Sequence, residues 1–592
     1  MRAALLVLLA AAASFLPQAR AGIEPGADLH ALLDAYWSDW LSLNPSLALA
    51  LGDAGAKRHF DESLTDAWRV RMLAMLDRYS RRTASIRAAD LETRDQTSLR
   101  MLREQLADAE EFYGGPLFET ARRLPIDQFQ GPHTIFAADA AGSGNYPFKS
   151  ADDYRDALVR ADRYSEWTDQ AISRLSEGLN TGVVLPRLVV ERILPQLRAQ
   201  FGKRAEATEF WHPIEQLPPD MGPLQRRRLE RDYRREISLV IEPAYRRLYD
   251  FLANEYLPRA RSTVGLGEMP GGRALYDYDV RHHTTTATPP NAIHDLGVAE
   301  VERIENELGK LRAQVGFSGD LPAFFERVRS DPALKFDARS SIIPAFEAAR
   351  LRIVAELPRL FNGLPVGAFE IRALPDSSRN SQGNGYYSAP ASDGSRPGIL
   401  WINTYAPGVT DRFNVMTITL HEGLPGHHFQ ASIAAAQRDL PAFRRFDFTD
   451  AYGEGWALYS EALGSELGLY ANPWDYYGHL NYAILRANRL VIDTGLHAMG
   501  WDVDEGVRWM MAHSSMNDAQ ARAEVERYVA YPAQALSYKV GELKIRELRR
   551  RAERALGGRF DIKAFHDVIL TGGSRSLRIL EDDVDRWIAA GQ

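Results

Sequence analysis

The chain has no cysteine among its 592 residues, which limits both how it can be stabilised and how it can hold a metal. No disulfide, thiolate nucleophile, iron–sulfur cluster or Cys-ligated zinc site is possible. Stability must therefore come from buried apolar side chains, and 45% of the residues are hydrophobic. Because one hydrophobic core rarely serves a chain of this length, we expect two lobes. Any metal has to be held by histidine and carboxylate.

The balance of charge argues against nucleic acid as a partner. Lys and Arg together number 71 and Asp and Glu number 79, for a net charge of −8. Proteins that bind nucleic acid carry basic surfaces instead. The arginine-rich stretch 226–235 contains interspersed acids, which is typical of a solvated helix face with ion pairs about one turn apart.

Residues 1–21 have the pattern of a signal peptide. Arg2 precedes an apolar run over 3–16, and the small residues Ala19 and Ala21 favour cleavage after Ala21. An uncleaved membrane anchor is the alternative, although the run is shorter than a spanning helix requires. We expect a secreted protein, periplasmic if the cell is bacterial, with no integral membrane segment after cleavage. Without cysteine, lipid attachment at a mature N-terminal cysteine is impossible. The oligomeric state is not predictable from the sequence.

The pattern after the signal peptide predicts a mainly α-helical protein. Amphipathic helical periodicity dominates, and Pro and Gly mark the connections between helices. A Gly/Pro-rich segment at 265–272 suits a boundary or hinge. It divides the chain into an N-terminal helical lobe, 22–265, and a catalytic lobe, 266–592.

Three short β-type runs predict a small antiparallel sheet just before the most informative segment. They are residues 369–371, 385–388 and 398–403. Tyr386 and Tyr387 lie on the second run. An exposed edge there would let an extended peptide pair with the sheet, which makes both tyrosines candidate substrate-binding residues.

Residues 421–428 read His-Glu-Gly-Leu-Pro-Gly-His-His and carry the clearest chemical signal. In the zinc-peptidase motif H-E-x-x-H, two histidines four residues apart share a helix face, and the Glu is the general base. Here His421 and His427 are six residues apart, which corresponds to a difference of about 120° around a regular helix. His428 returns to the first face, but about 10 Å along the axis. Neither can join His421 at one metal unless the helix is broken.

Pro425 supplies a reason for such a break, because its ring would clash with the carbonyl four residues earlier. Gly423 and Gly426 on either side tolerate unusual dihedral angles. We expect a helix that bulges or is interrupted between these glycines and brings His427 back toward His421. His428 is then an alternative ligand or a residue that supports the ligands from behind.

A third ligand is expected on a following helix, where residues 452–461 read Tyr-Gly-Glu-Gly-Trp-Ala-Leu-Tyr-Ser-Glu. Zinc with two histidines needs one more protein ligand and an open position for water. Glu454 is the candidate ligand. Glu461 lies two helical turns further on the same face, where it would orient a ligating imidazole. The alternative is that both acids lie on the solvent face of an amphipathic helix.

These motifs resemble those of the bacterial family of domain of unknown function 885, usually grouped with zinc-dependent peptidases. Further similar stretches lie at 284–297, 385–387, 489–497 and 532–541. Glu454-Gly-Trp-Ala also resembles the Asn-Glu-Gly-Phe-Ala signature of zinc aminopeptidases, in which that Glu binds the metal. The resemblance implies a two-lobed, helical, metallopeptidase-like fold with a central cleft, and does not define the substrate.

The expected function is that of a secreted zinc peptidase acting on peptides or oligopeptides. One Zn²⁺ would be held by His421, His427 and Glu454, with Glu422 as the general base for water. Manganese or cobalt would also suit these ligands. Two alternatives remain, namely a metal-dependent hydrolase of a non-peptide amide and a non-catalytic scaffold with a structural metal.

The tetrahedral oxyanion needs a further hydrogen-bond donor. Tyr538 is the first choice, with His497 and Tyr531 after it. Tyr538 is equally well interpreted as a packed aromatic. His497 is equally well interpreted as a core histidine held by Asp493, one helical turn earlier.

Basic residues near this region have two interpretations each. Arg486, Arg489 and Asp493 share roughly one helix face, which favours an internal ion pair. Either arginine could instead bind a substrate carboxylate, as a carboxypeptidase or dipeptidase would require. Lys539 could also bind a substrate carboxylate, or cap a helix end.

Overall fold

The computed structural model describes residues 25–363, 367–374, 385–391, 394, 396–406, 408 and 410–591. The predicted signal peptide lies outside these residues. In this part of the chain, no helix combines the length and the apolar character needed to cross a bilayer.

Helices form most of the described chain, so the mainly α prediction is confirmed. Up to residue 284 they are α1 Pro25–Leu43, α2 Pro45–Ala50, α3 Asp66–Ala84, α4 Thr93–Gly114, α5 Pro116–Ala121, α6 Pro132–Ala140, α7 Ala151–Thr181, α8 Arg187–Arg198, α9 His212–Glu215, α10 Pro223–Glu236, α11 Glu242–Phe251 and α12 Gly272–Thr284. The later ones are α13 Pro290–Gln314, α14 Leu321–Ser330, α15 Ile342–Glu356, α16 Val415–Ile418, α17 His427–Ala436, α18 Ala442–Phe446, α19 Asp450–Glu466, α20 Pro473–Ala498, α21 Val503–Ala512, α22 Asp518–Ala530, α23 Ser537–Leu556, α24 Ile562–Leu570 and α25 Leu577–Gly591.

Many of these helices begin where local chemistry favours a start. Ser150 and Asp153 exchange side-chain and backbone hydrogen bonds at the beginning of α7, which satisfies amide groups that have no partner in the first turn. Pro473 occupies the first turn of α20, where its missing N–H costs nothing. The helix boundaries therefore follow from the sequence more directly than their packing does.

The three β-type runs form one small sheet of mixed direction. Its strands are β1 Phe369–Ala373, β2 Gly385–Ser388 and β3 Gly398–Ile402, in the order β1-β3-β2. β3 pairs antiparallel with β2 but parallel with β1, so the prediction of an antiparallel sheet is wrong for β1. Strand-forming residues indicate a strand but not its neighbour. Here the chain inserts β3 between the two earlier strands, and β3 runs in the same direction as β1.

The apolar interior contains side chains from both sides of residue 265. One cluster packs Tyr245 with Leu496, and another packs Leu32 with Phe443. The Gly/Pro-rich segment is itself anchored, since the backbone N–H of Leu266 donates to His497 Nδ1 at 3.0 Å. The division into two lobes stays a prediction.

The helices that carry the predicted site residues pack closely at glycines. A Cβ atom on Gly455 of α19 would lie 2.5 Å from the Cα atom of Gly541 on α23. Only two residues without side chains allow the two helix backbones to come this close. This contact brings the first turn of α23, with Tyr538, next to the part of α19 that contains Glu454.

Candidate metal centre

The helix that carries His421 is interrupted where the sequence predicted an interruption. α16 continues into a wider turn over Thr419–Gly423, in which the Leu424 N–H donates to the Thr419 carbonyl five residues back, at 3.1 Å. Such π-type turns are uncommon and occur often at functional sites. Leu424 is extended, and α17 then begins at His427. The expected bulge and interruption are both confirmed.

Two contacts shape this interruption. A Cβ atom on Gly426 would lie 1.8 Å from the His421 carbonyl oxygen, so only glycine fits at this position. The indole Nε1–H of Trp456, on α19, donates to the Pro425 carbonyl at 2.8 Å. This bond satisfies a carbonyl that the helix leaves unpaired, and it ties the interruption to the helix that carries Glu454.

The interruption brings His421, His427 and Glu454 together, with one ligand atom from each within 4.8 Å of the others. Glu454 Oε2 lies 3.5 Å from His421 Nε2 and 3.3 Å from His427 Nε2. The two imidazole rings are nearly perpendicular, with centroids 4.9 Å apart. Three potential ligand atoms thus converge on one point, as predicted, and no other such group occurs among the described residues.

Glu461 orients the imidazole ring of His421. Its Oε1 atom lies 2.8 Å from His421 Nδ1, and its side chain is fully buried. A carboxylate here favours the Nδ1–H form of the ring, so the lone pair of Nε2 faces Glu454 and His427. On its other side, Glu461 Oε2 lies 3.9 Å from His479 Nδ1. The predicted orienting role of Glu461 fits this geometry.

The electrostatics of the cluster indicate a missing positive charge. Burial alone would lower the pKa of His421, but the nearby carboxylates of Glu454 and Glu461 raise it to about 9. Burial would raise the pKa of Glu454, yet His427 and His421 hold it well below its usual range. Glu454 Oε2 is buried and has no hydrogen-bond partner among the described residues. A cation bound between the three side chains would satisfy that oxygen and replace the proton on His421.

The donor set fits a divalent cation that accepts nitrogen and oxygen ligands. Two imidazole nitrogens and one carboxylate oxygen are the three protein ligands of one large class of catalytic zinc sites. Manganese and cobalt also accept this combination. The residues present are therefore compatible with the zinc ion expected from the sequence.

His428 faces away from the three ligands and supports a tyrosine instead. Its Nδ1 atom lies 3.0 Å from the Tyr387 hydroxyl, and burial lowers its pKa to about 4. The Tyr387 ring stacks on His427 at 6.4 Å between centroids. Burial, and then the charge of Glu422, raise the pKa of Tyr387. β2 thus places Tyr387 beside His427 and near Glu422, while Tyr386 is 36% exposed.

Tyr538 also lies at the cluster. Its ring is nearly parallel to that of His421, with centroids 6.4 Å apart, and its hydroxyl lies 3.4 Å from Arg527 Nη2. Tyr531, the other tyrosine considered, packs edge-on against His283 with centroids 5.5 Å apart. Of these two tyrosines, only Tyr538 has a ring contact with one of the three potential ligands among the described residues.

Two predicted site residues are engaged elsewhere. His497 accepts a hydrogen bond from Leu266 N at 3.0 Å, and its Nε2 donates to the Tyr528 carbonyl at 2.9 Å. Both ring nitrogens are thus used by backbone groups, and none is left for an oxyanion. Lys539 is fully buried, and its Nζ lies 2.5 Å from Glu542. These positions favour the core interpretation of His497 and an internal ion pair for Lys539.

The predicted ion pair of α20 has different partners. Arg489 pairs with Glu524 of α22, Nη2 to Oε1, at 2.5 Å. Asp493 instead accepts a hydrogen bond from the Tyr276 hydroxyl at 2.7 Å. Arg486 has no ion-pair partner among the described residues. Pairing across helices, which helical periodicity does not reveal, replaced pairing along one helix.

Some residues around the site carried no recognisable motif. Arg527 of α22 contacts the Tyr538 hydroxyl through Nη2 at 3.4 Å, and Glu524 of the same helix pairs with Arg489. The position of His479 near the site could have been predicted from the sequence. It precedes Arg486 by seven residues and therefore shares the same face of α20.

These features define a mainly helical protein with a candidate metal centre of two histidines and one glutamate. The chain belongs to the family described as bacterial protein of unknown function (DUF885), whose model matches residues 45–584. No protein of curated function matches it.

Two solved structures share the fold. The first, "the putative lipoprotein from Colwellia psychrerythraea", aligns with a TM-score of 0.88 and 26% sequence identity, covering 96% of this chain and 100% of that chain. The second, "a putative lipoprotein of unknown function from Shewanella oneidensis", aligns with a TM-score of 0.69 and 15% identity, covering 94% of this chain and 99% of that chain. Neither description assigns an activity.

Proposed function

We propose that this protein is a zinc-dependent, metallopeptidase-like hydrolase that cleaves peptide bonds. The observation that carries the proposal is the convergence of His421, His427 and Glu454 on one point, with Glu422 next to a ligand in the chain. A purely structural metal site needs no general base. A glutamate that directly follows the candidate ligand His421 in the chain therefore favours catalysis over a scaffold role.

Each residue near the cluster has a defined task in this proposal. Bound zinc would lower the pKa of a coordinated water toward neutrality and polarise the substrate carbonyl. Glu422 accepts the proton from the attacking water and passes it to the leaving amine. The Tyr387 ring stacks on His427 and the Tyr538 ring stacks on His421, and a hydroxyl from one of them donates to the oxyanion. His428 holds the Tyr387 hydroxyl in position.

The sheet favours a peptide over another amide as the substrate. Within the described strands, β2 pairs with β3 on one side only. Its backbone therefore offers hydrogen-bonding groups to an extended chain, and Tyr387 on the same strand lies at His427. A peptide added along β2 would pass the cluster. A small non-peptide amide has no extended backbone that could pair with a strand edge.

The proposed location is outside the cytoplasm, in the periplasm if the cell is bacterial. The N-terminal pattern is that of a signal peptide, and both similar structures carry the description "putative lipoprotein". This chain has no cysteine to carry a lipid. We therefore propose that it is released after export.

The test is a Glu422→Gln variant analysed for metal content and for digestion of a peptide library. We expect one zinc per chain in the parent and the variant, and a loss of turnover of about 10²- to 10⁴-fold in the variant. Glu302→Gln, an exposed change on α13, is the matched control and should behave like the parent.

Other outcomes would contradict the proposal in distinguishable ways. Equal activity of parent and Glu422→Gln would mean that the site is structural. If the metal-loaded parent cleaves no peptide but hydrolyses a non-peptide amide, the substrate class is non-peptide amides instead of peptides. If the protein holds no metal after equilibration with zinc, neither the peptidase nor the non-peptide amide hydrolase is supported.

A further inference from the structure

Arg486 is a buried guanidinium that has no carboxylate partner among the residues the structure describes. It lies on α20 and is 6% exposed. Its Nε and Nη1 atoms have no hydrogen-bond partner in the part of the chain that the structure describes. Burying an uncompensated charge is unfavourable, and such groups are normally paired. An unsatisfied arginine in the interior therefore indicates a ligand that brings a negative charge.

Two aromatic rings flank this guanidinium. Its Cζ atom lies 4.4 Å from the Tyr482 ring centroid and 5.6 Å from the Tyr538 ring centroid. Cation–π contacts of this kind hold an arginine in place but leave its N–H groups unsatisfied. The planar fork of N–H donors is matched in shape to a carboxylate, which binds it with two parallel hydrogen bonds.

The surrounding charge is also positive. Arg489 Cζ lies 4.6 Å from the Tyr538 ring centroid, and Arg527 Nη2 lies 3.4 Å from its hydroxyl. Glu524 of α22 is already bound to Arg489 through Nε at 2.9 Å and Nη2 at 2.5 Å. That carboxylate is occupied, so Arg486 remains available for an external anion.

The same tyrosine connects this arginine with the metal ligands. The Tyr538 ring stacks on His421, at 6.4 Å between centroids, and the same ring has its centroid 5.6 Å from Arg486 Cζ. An anion bound to Arg486 would therefore lie near the Tyr538 ring, which also contacts the candidate ligand His421. Since an extended peptide advances about 3.3 Å per residue, only a few residues separate such an anion from a carbonyl group at the metal.

We propose that Arg486 binds the free α-carboxylate of a peptide, so that the protein acts as an exopeptidase at C-terminal ends. This inference rests on the proposed peptidase function, whose substrate class it narrows. Hydrolysis adds water across the peptide C–N bond: the hydroxyl group joins the carbonyl carbon, and the proton ends on the amine. The released C-terminal fragment keeps the carboxylate that Arg486 held.

The experiment compares two peptides that differ only at the C terminus, N-acetyl-Ala-Ala-Ala as the acid and as the amide. Rates of cleavage are measured with the parent protein. Binding is measured by calorimetry with zinc-loaded Glu422→Gln, which needs no turnover. Adding Arg486→Met to Glu422→Gln removes the guanidinium, and adding Arg486→Lys keeps the charge without the fork. Arg508→Met, an exposed change on α21, is the control for lost charge.

We expect the acid to bind between about 10- and 100-fold more tightly than the amide, as a charged hydrogen bond contributes. Arg486→Met should lower binding of the acid to the level of the amide, and Arg486→Lys should give an intermediate value. Arg508→Met should keep the full preference. The parent protein should also cleave the acid peptide faster than the amide peptide, by a similar factor.

Equal binding of acid and amide to Glu422→Gln would overturn the proposal, with no need for the arginine variants to fold. A preference that survives Arg486→Met in a protein with parental circular dichroism would overturn it too. If the parent cleaves neither peptide, the peptidase function fails. The binding comparison still decides whether Arg486 recognises a carboxylate.

Discussion

The Glu461 carboxylate lies 2.8 Å from His421 Nδ1 and has no solvent exposure. Buried carboxylates are rare unless they are paired, and this one is paired with the imidazole whose other nitrogen faces Glu454. The pair fixes the orientation and the protonation of the ring from behind. The geometry of the metal centre therefore depends on a residue that need not touch the metal.

Replacing Glu461 should weaken metal binding without removing a ligand. We expect Glu461→Ala to lower zinc affinity by about 10- to 100-fold, because the His421 ring loses the group that orients it. Glu461→Gln keeps an acceptor oxygen of the same reach and should lose less. Competition titration with a chromophoric chelator measures both. Equal affinity in Glu461→Ala and the parent would show that the pair is irrelevant to the metal.

Zinc binding should release a proton. In the metal-free protein, burial lowers the pKa of His421, but Glu454 and Glu461 raise it to about 9. The ring is thus protonated at neutral pH and must lose that proton to bind a metal. Affinity should rise as the pH approaches 9 and then level off.

Calorimetry checks the released proton directly. At neutral pH, zinc binding should be more exothermic in a buffer with a large ionisation enthalpy than in a buffer with a small one. The difference in binding enthalpy should correspond to uptake of about one proton by the buffer. The same comparison well above pH 9 should show no buffer dependence of this origin. Identical enthalpies in both buffers at neutral pH would contradict the raised pKa of His421.

Gly426→Ala should damage both stability and the metal centre. The new methyl would lie 1.8 Å from the His421 carbonyl oxygen, which belongs to the backbone and cannot move cheaply. We expect a loss of about 2 kcal/mol or more in the free energy of unfolding, with weaker zinc binding.

Gly309→Ala on α13 is the matched control for this substitution, because no atom lies within 4 Å of its added Cβ. It should stabilise the protein by about 0.5–1 kcal/mol. Urea unfolding measures both variants. A Gly426→Ala protein as stable as Gly309→Ala would refute the close approach.

Asp493 should make the protein less stable as the pH rises. Burial raises its pKa to about 7, although Tyr276 and the Ala533 N–H lower it by hydrogen bonding. The folded state thus keeps a proton that the unfolded chain loses above about pH 4. The stabilisation is complete below that pH and falls by up to about 1.4 kcal/mol per unit until about pH 7.

Asp493→Asn should remove this decline, because the amide does not titrate. Urea unfolding of parent and variant across this range gives the difference, and Asp220→Asn, an exposed change, should follow the parent. Parallel curves for Asp493→Asn and the parent would show that the carboxylate titrates normally.

Local chemistry made the convergence of His421, His427 and Glu454 predictable from the sequence. Pro425 and two glycines made a regular helix impossible, and only a break could bring His427 to His421. Glu454 and Glu461, seven residues apart, followed from helical periodicity. Each of these inferences needed only neighbours along the chain or one helix face.

Long-range pairing was not predictable in the same way. Arg489 finds Glu524 on another helix, whereas Asp493, on its own face, bonds to Tyr276. β1 pairs not with β2, the next strand in the chain, but with β3, and it does so in parallel. Such choices depend on how distant elements pack, which no local pattern contains.

The most direct test of the account is the anomalous scattering of a crystal equilibrated with zinc, recorded above and below the zinc absorption edge. The account predicts one strong edge-dependent peak, bounded by His421 Nε2, His427 Nε2 and Glu454 Oε2. The absence of a peak there, with the three side chains placed as described, would contradict it.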